Sequence, residues 1–192
     1  MIKGLELIED TKVFGFWVYL MTDLVIFAAL FATYAVLRSS TFGGPTAREL
    51  FSLQNALNET LILLTSSFTC TLGMFAVHEQ KKKMALFWFL VTFTLGVTFL
   101  SLELSEFSAF IESGASWKRS AFLSAFFTLV GTHGFHISAG LLWMGVSMAR
   151  ILLRPLHPEN ISRIYCMALF WHFLDFVWIF IFTIVYGMSL LV

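Results

Sequence analysis

Charge is what this sequence has least of. Asp, Glu, Lys and Arg make up 12% of its 192 residues, against about 25% in an ordinary soluble domain. With 58% of residues hydrophobic and a mean hydropathy of +0.84, too little polar surface is left to wrap a water-soluble core. That excludes a soluble globular domain and points to an integral membrane protein. Neither sign of charge is in excess: 12 basic and 12 acidic residues cancel. No basic footprint for nucleic acid is therefore present. Cysteine is nearly absent as well. Cys70 and Cys166 lie far apart with no CxxC spacing, so nothing suggests a disulfide framework, a thiol redox motif or a zinc ribbon. The nucleophile elbow, P-loop, HExxH and dinucleotide fingerprints are also missing.

Long apolar sequence, in contrast, is plentiful. Five runs lie near 14–37, 56–77, 84–111, 120–149 and 164–191, each long enough for the roughly 20 helical residues that span a bilayer. They are about twice the length of a barrel strand and do not alternate in polarity. Helix is also the open-chain structure that satisfies its own backbone in lipid. The expected fold is all-α: a bundle of five transmembrane helices forming one domain over residues 1–192. The connections 38–55, 78–83, 112–119 and 150–163 are short and polar. Lys3, Lys12, Lys81, Lys82, Lys83, Arg150, Arg154 and Arg163 fall on one side, with Arg38, Arg48, Lys118 and Arg119 on the other. The more basic side is expected in the cytoplasm, which puts the N-terminus inside and the C-terminus in the periplasm. Glu6, Glu9 and Asp10 make the N-terminus acidic, and the first apolar run is too long for a cleaved signal.

Within the apolar runs the informative residues are the polar ones, because each must find a partner or give up its charge. Asp23 falls near the middle of the first run, and Glu59 near the start of the second, where it is expected to reach the interface. Glu103 and Glu106 share a face of the third, so at least one needs a partner or a proton. His133 and His136 share a flank of the fourth, in GTHGFH, and His172 and Asp175 a face of the fifth, in WHFLDFVW. Asp23 and Asp175 read as acids hydrogen-bonded to neighbouring helices. The functional alternative for Asp23 is a proton-accessible carboxylate. The two histidines, three residues apart on one helix, cannot be the opposite axial ligands of one haem. With His172 they could hold zinc or copper. The small residues around them, Gly131, Gly134, Ser138 and Gly140, favour close helix packing with hydrogen bonds across the contact. Trp117 fits an interfacial belt. Residue chemistry alone assigns no reaction.

The segments FGFWVYLMTDLVIFAALFATYAVL (14–37), FLSAFFTLVGTHGFHISAGLLWM (122–144) and FWHFLDFVWIFIFTIVY (170–186) resemble subunit III of the haem–copper terminal oxidases, as do FGGPT (42–46), LNETLILLTSS (57–67) and LELSEF (102–107). Several motifs in one order make the resemblance specific, and it covers nearly the whole chain after residue 12. It is to the five-helix form, closest to the cytochrome bo-type ubiquinol oxidases, with cytochrome c oxidase subunit III as the near alternative. A small proton-coupled transporter is a more distant alternative. The resemblance implies a complex of the bacterial inner membrane that oxidises ubiquinol, reduces oxygen to water and pumps protons. Two haems and one copper would sit in subunit I, with no redox centre, cofactor or metal on this chain. Subunit I would be its main contact, with subunits II and IV and membrane phospholipids as further partners. Asp23 matches the family's buried acid associated with proton uptake. Glu106 matches the acid of its SE-aromatic motif, His133 and His136 its GxHGxH pair, and Trp171, His172 and Asp175 its WHFxD motif. With Glu59, these are candidates for interhelix hydrogen bonds or lipid contact, and the histidines for holding the fourth and fifth spans in register.

Overall fold

The computed structural model of the chain describes residues 2–153 and 158–187, with side chains left out at 2–10, 48–49 and 158–159. The elements are α1 (Ile2–Leu37), α2 (Ala47–Leu50), α3 (Leu53–His78), α4 (Lys82–Glu112), α5 (Ala121–Leu153) and α6 (Pro158–Ile181). A π-helical segment, Phe182–Gly187, continues α6. No strand occurs among the described residues. Five helical segments are long and apolar enough to cross a membrane: Thr11–Leu37, Leu53–His78, Lys82–Glu112, Ala121–Leu153 and Asn160–Gly187.

The expected boundaries need correction at both ends of the chain. The first helix begins at Ile2 rather than near 14. Residues 5–10, LELIED, include no helix breaker, so the backbone stays helical after hydropathy has fallen. The last helix, α6, begins at Pro158, where a missing N–H is harmless in the first turn, and widens into π-helix after Ile181. Its expected end, 188–191, lies outside the described residues. The short α2 had no signal in the apolar pattern.

Helix ends follow from local chemistry. At the end of α4, Ala115 N–H donates to the Phe110 carbonyl at 2.9 Å and Gly114 N–H to that of Ile111 at 3.1 Å. This paired closure needs a left-handed residue, and Gly114 supplies it at φ 83°. Gly114→Ala is expected to cost about 1 kcal/mol, measured by thermal unfolding of the detergent-solubilised protein. The α3–α4 turn closes the same way around Gln80, at φ 59°. The Lys81 ammonium, 2.7 Å from Glu79, holds that exposed carboxyl below its ordinary value.

Packing is a ring of four helices with a fifth outside. The three-residue turn 79–81 makes α3 and α4 an antiparallel pair. α5 lies against α4 and α6 against α3, and α5 and α6 close the ring. α1 packs mainly against α5 and α6 of the ring. It buries one narrow stripe, Leu20, Asp23, Phe27 and Tyr34, whose spacings of three, four and seven residues keep it on one face. The rest of α1, including Phe14, Trp17, Val18, Val25 and Val36, is exposed apolar surface.

Candidate functional site

The polar residues in the apolar spans gather into three groups. The first joins α1 to α5. Asp23, 5% exposed, points its Oδ2 at His136 Nε2, 3.9 Å away. His136 Nδ1 is 2.8 Å from the carbonyl of Thr132, one turn earlier. A carbonyl only accepts, so Nδ1 carries a proton and donates it. In a neutral ring Nε2 is then the bare nitrogen. At 3.9 Å it is a near neighbour of Asp23 Oδ2 but beyond hydrogen-bond range, and that oxygen has no hydrogen-bond partner. Phe27 seals it, its ring centroid 5.3 Å from that of His136.

His133 has a different environment. It is fully buried, stacked on Trp178 of α6 at 5.4 Å and 28°, with Phe27 and Phe99 edge-on. Neither ring nitrogen has a hydrogen-bond partner. Neither histidine hydrogen-bonds to α6: His133 meets it through its ring face, and His136 bonds its own helix, turns to α1 and lies 6.4 Å from the Phe170 ring of α6.

The second group joins α3 to α6. Trp171 Nε1 donates to Ser66 Oγ at 3.1 Å and Trp178 Nε1 to Thr60 Oγ1 at 3.0 Å. His172 Nε2 lies 3.4 Å from Thr71 Oγ1. Along α3 the partner numbers rise from Thr60 to Ser66 while along α6 they fall from Trp178 to Trp171, as antiparallel helices require. Each hydroxyl also donates within its own helix, Thr60 to Ala56 and Ser66 to Leu63, so it is free to accept from indole. Asp175 is buried beside His172 and Ser67. Trp171 is seated between two glycines. A Cβ on Gly96 of α4 would stand 2.6 Å from the indole, and one on Gly140 of α5 would stand 3.3 Å away.

The third group joins α3, α4 and the π segment. Glu59 does not reach the interface: it is 2% exposed and faces Glu106 and Glu103. Sequence length to the helix start misplaced it, because α3 begins at Leu53 and the bundle closes over its first turns. Tyr186 donates its hydroxyl to Glu106 Oε2 at 3.2 Å.

His133, His136 and His172 thus face an aromatic box, a carboxyl and a threonine. Among the described residues no three histidine, cysteine or acidic side chains converge as metal ligands would. Sequence reading missed Thr60, Ser66, Gly96, Trp178 and Tyr186. The available signal was the pairing of hydroxyls on one helix with indoles at matching antiparallel spacing on another. A cavity of about 300 Å³ also opens between α5 and α6, with Arg150, Asn160 and Arg163 beside apolar Leu142, Trp143 and Val146.

Comparison with known proteins places this arrangement. A cytochrome bo(3) ubiquinol oxidase subunit 3 of Pseudomonas aeruginosa is 55% identical over 179 residues, covering 93% of this chain and 86% of that protein. A cytochrome c oxidase subunit 3 of Bacillus sp. (strain PS3) is 46% identical over 183 residues, with 93% and 86% covered. For a quinol oxidase subunit 3 of Bacillus subtilis the identity is 42% over 182 residues, with 93% and 88% covered. The family described as cytochrome c oxidase subunit III matches residues 5–190. With five membrane-capable helices and no strand among its described residues, the chain belongs to the cytochrome c oxidase subunit III family.

Proposed function

We propose that this chain is subunit III of a proton-pumping ubiquinol oxidase of the cytochrome bo type. In this reading it works as one transmembrane unit in a bacterial inner membrane, N-terminus in the cytoplasm and C-terminus in the periplasm. The observation that carries the donor is the 55% identity to the Pseudomonas aeruginosa ubiquinol oxidase subunit. The two haems, the copper and the ubiquinol site belong to subunit I, and this chain is not itself catalytic. Its own work is to hold the complex together and help supply protons. Asp23 and His136 are the pair suited to that, being the place among the described residues of α1 where a carboxyl stands near a titratable base.

The partners follow from exposed surface. The apolar flank of α1 is available to subunit I, with subunits II and IV further off. The cavity holding Arg150 and Arg163 has cations beside an apolar wall, the chemistry that a phospholipid headgroup and acyl chain require. In the proposed orientation it opens at the cytoplasmic leaflet.

Tagging this chain and extracting it in mild detergent tests the reading. Haem bands in a reduced-minus-oxidised spectrum, with ubiquinol-driven oxygen uptake, are expected to co-purify, and the haem is expected to remain with the other subunits when the chain is stripped off. A colourless chain under equally mild extraction would refute the assignment. Oxygen uptake driven by cytochrome c but not by ubiquinol would shift it to the reading that the 46% identical Bacillus relative favours.

A further inference from the structure

Three acids meet at the end of the bundle where α3 begins and α4 ends. Glu59 and Glu103 are each 2% exposed. Glu59 Oε2 and both oxygens of Glu103 have no hydrogen-bond partner. Glu106 has one, the Tyr186 hydroxyl. No lysine or arginine compensates them: among the described residues, the charges acting on Glu59 and Glu103 are those of the triad itself. From α5 the nearest titratable group in sequence is His133, next to the Gly134 backbone that Glu103 abuts. An added Cβ on Gly134 would stand 3.4 Å from Glu103 Oε1. Three ionised carboxylates cannot share a desolvated space without a cation, so the site needs protons or a missing counter-ion.

The cavities on either side of α4 indicate which. A crevice of about 350 Å³ opens between α3 and α4. Ser52, Asn55, Asn58 and Ser105 give it polar groups beside apolar Leu50, Leu102 and Phe110, and Glu59 and Glu106 stand in its wall. At about 30 Å³ per molecule in the liquid, it has room for several waters. On the opposite side of α4 a second cavity, of about 150 Å³, lies against α5, with Glu103 in its wall beside Gly134 and Ser138. The acids of the triad therefore stand in the walls of two cavities, one on each side of α4.

We propose that Glu59, Glu103 and Glu106 form a proton-exchange relay across α4, distinct from the Asp23–His136 pair. A hydronium in the α3–α4 crevice gives its proton to a carboxylate oxygen of Glu59 or Glu106 and leaves as water. No acid–acid hydrogen bond joins the three, so a protonated neighbour gives its proton to a bridging water, which gives one to the next carboxylate; one O–H bond breaks as another forms at each step and the cluster charge is unchanged. The Tyr186 O–H donates to Glu106 Oε2, which leaves the other Glu106 oxygen to take and give the proton. Glu103 presents the proton at the α4–α5 cavity. No electron moves.

Infrared difference spectroscopy on the purified oxidase complex tests this, with the haem spectrum of the same sample as the assembly control. Wild type is expected to show protonated-carboxyl bands that shift when water is exchanged for deuterium oxide. Glu103→Gln removes one of them, and Tyr186→Phe shifts the band of Glu106. If Glu103→Gln fails to assemble, Glu59→Gln and Glu106→Gln are read for loss of a band in the same way. Three results would overturn the relay: carboxylate bands alone together with a stoichiometric bound cation such as calcium by metal analysis, bands that resist deuterium for hours, or bands unchanged in all three glutamine variants.

Discussion

Trp171→Ala is expected to destabilise the bundle by about 3 kcal/mol, the low end for emptying a large aromatic from a packed interior. The low end applies because lipid tails are as apolar as the bundle interior. The water-transfer part of the usual cost is absent, and lost van der Waals contact remains. The indole is 1% exposed and is held from three sides. Ser66 fixes its nitrogen, and Gly96 and Gly140 let α4 and α5 close against its ring. Removing it leaves the α3–α6 hydrogen bond unmade as well. Trp17→Ala supplies the contrast: Trp17 is 45% exposed on α1, and its loss is expected to stay within about 0.5 kcal/mol. Unfolding in detergent, followed by near-ultraviolet circular dichroism, separates the two variants. Equal shifts would mean that the indole seat does not hold the ring of helices together. The same geometry makes Gly96→Ala damaging, since even one methyl group overlaps the indole and the Trp171–Ser66 bond opposes its retreat.

How much of this could be read from the sequence depended on which physical signal carried it. Span number and helical type were legible because apolar length is a property of each segment alone, and a bilayer leaves few backbone solutions. Boundaries were less so. Hydropathy marks where lipid ends, whereas the helical backbone of α1 includes residues 5–10 because nothing in their sequence stops a helix. Glu59 was misplaced for a related reason: distance from a helix start reports depth, and burial depends on which helices close around it. Asp23 could be singled out as a buried acid, but its partner could not be identified. His136 is 113 positions away on another helix, and only the packing of α1 against α5 brings them together. The histidine pair shows the limit most clearly. Spacing correctly put both rings on one flank of α5, yet that flank is wide enough to face two elements. His133 stacks on α6 while His136 meets α1.

The Asp23–His136 contact leads to the second large effect. Asp23→Asn keeps the side chain's shape and removes its acid, so assembly and haem content are expected to match wild type. If the pair collects protons for the complex, ubiquinol-driven turnover is expected to fall by roughly tenfold, the low end of what a charged collecting group adds to arrival rates. The direction with pH follows from the geometry. With Nδ1 committed to the Thr132 carbonyl, Nε2 stands 3.9 Å from Asp23 Oδ2, near enough for the two side chains to act as one collecting pair. Such a pair matters most when free protons are scarce, so the deficit should widen as pH rises and shrink as it falls. Asp23→Glu, which restores a carboxyl one methylene longer, is expected to recover most of the rate. A packing role predicts a different pattern. Asn would then be harmless, and Leu would release the subunit because His136 Nε2 would lose the group it faces. Oxygen uptake and proton release measured together from about pH 5 to about pH 9, spanning the ordinary titration range of histidine, distinguish these cases. A rate independent of the substitution at every pH, with the subunit retained, would make Asp23 a structural acid and remove proton supply from this chain's work.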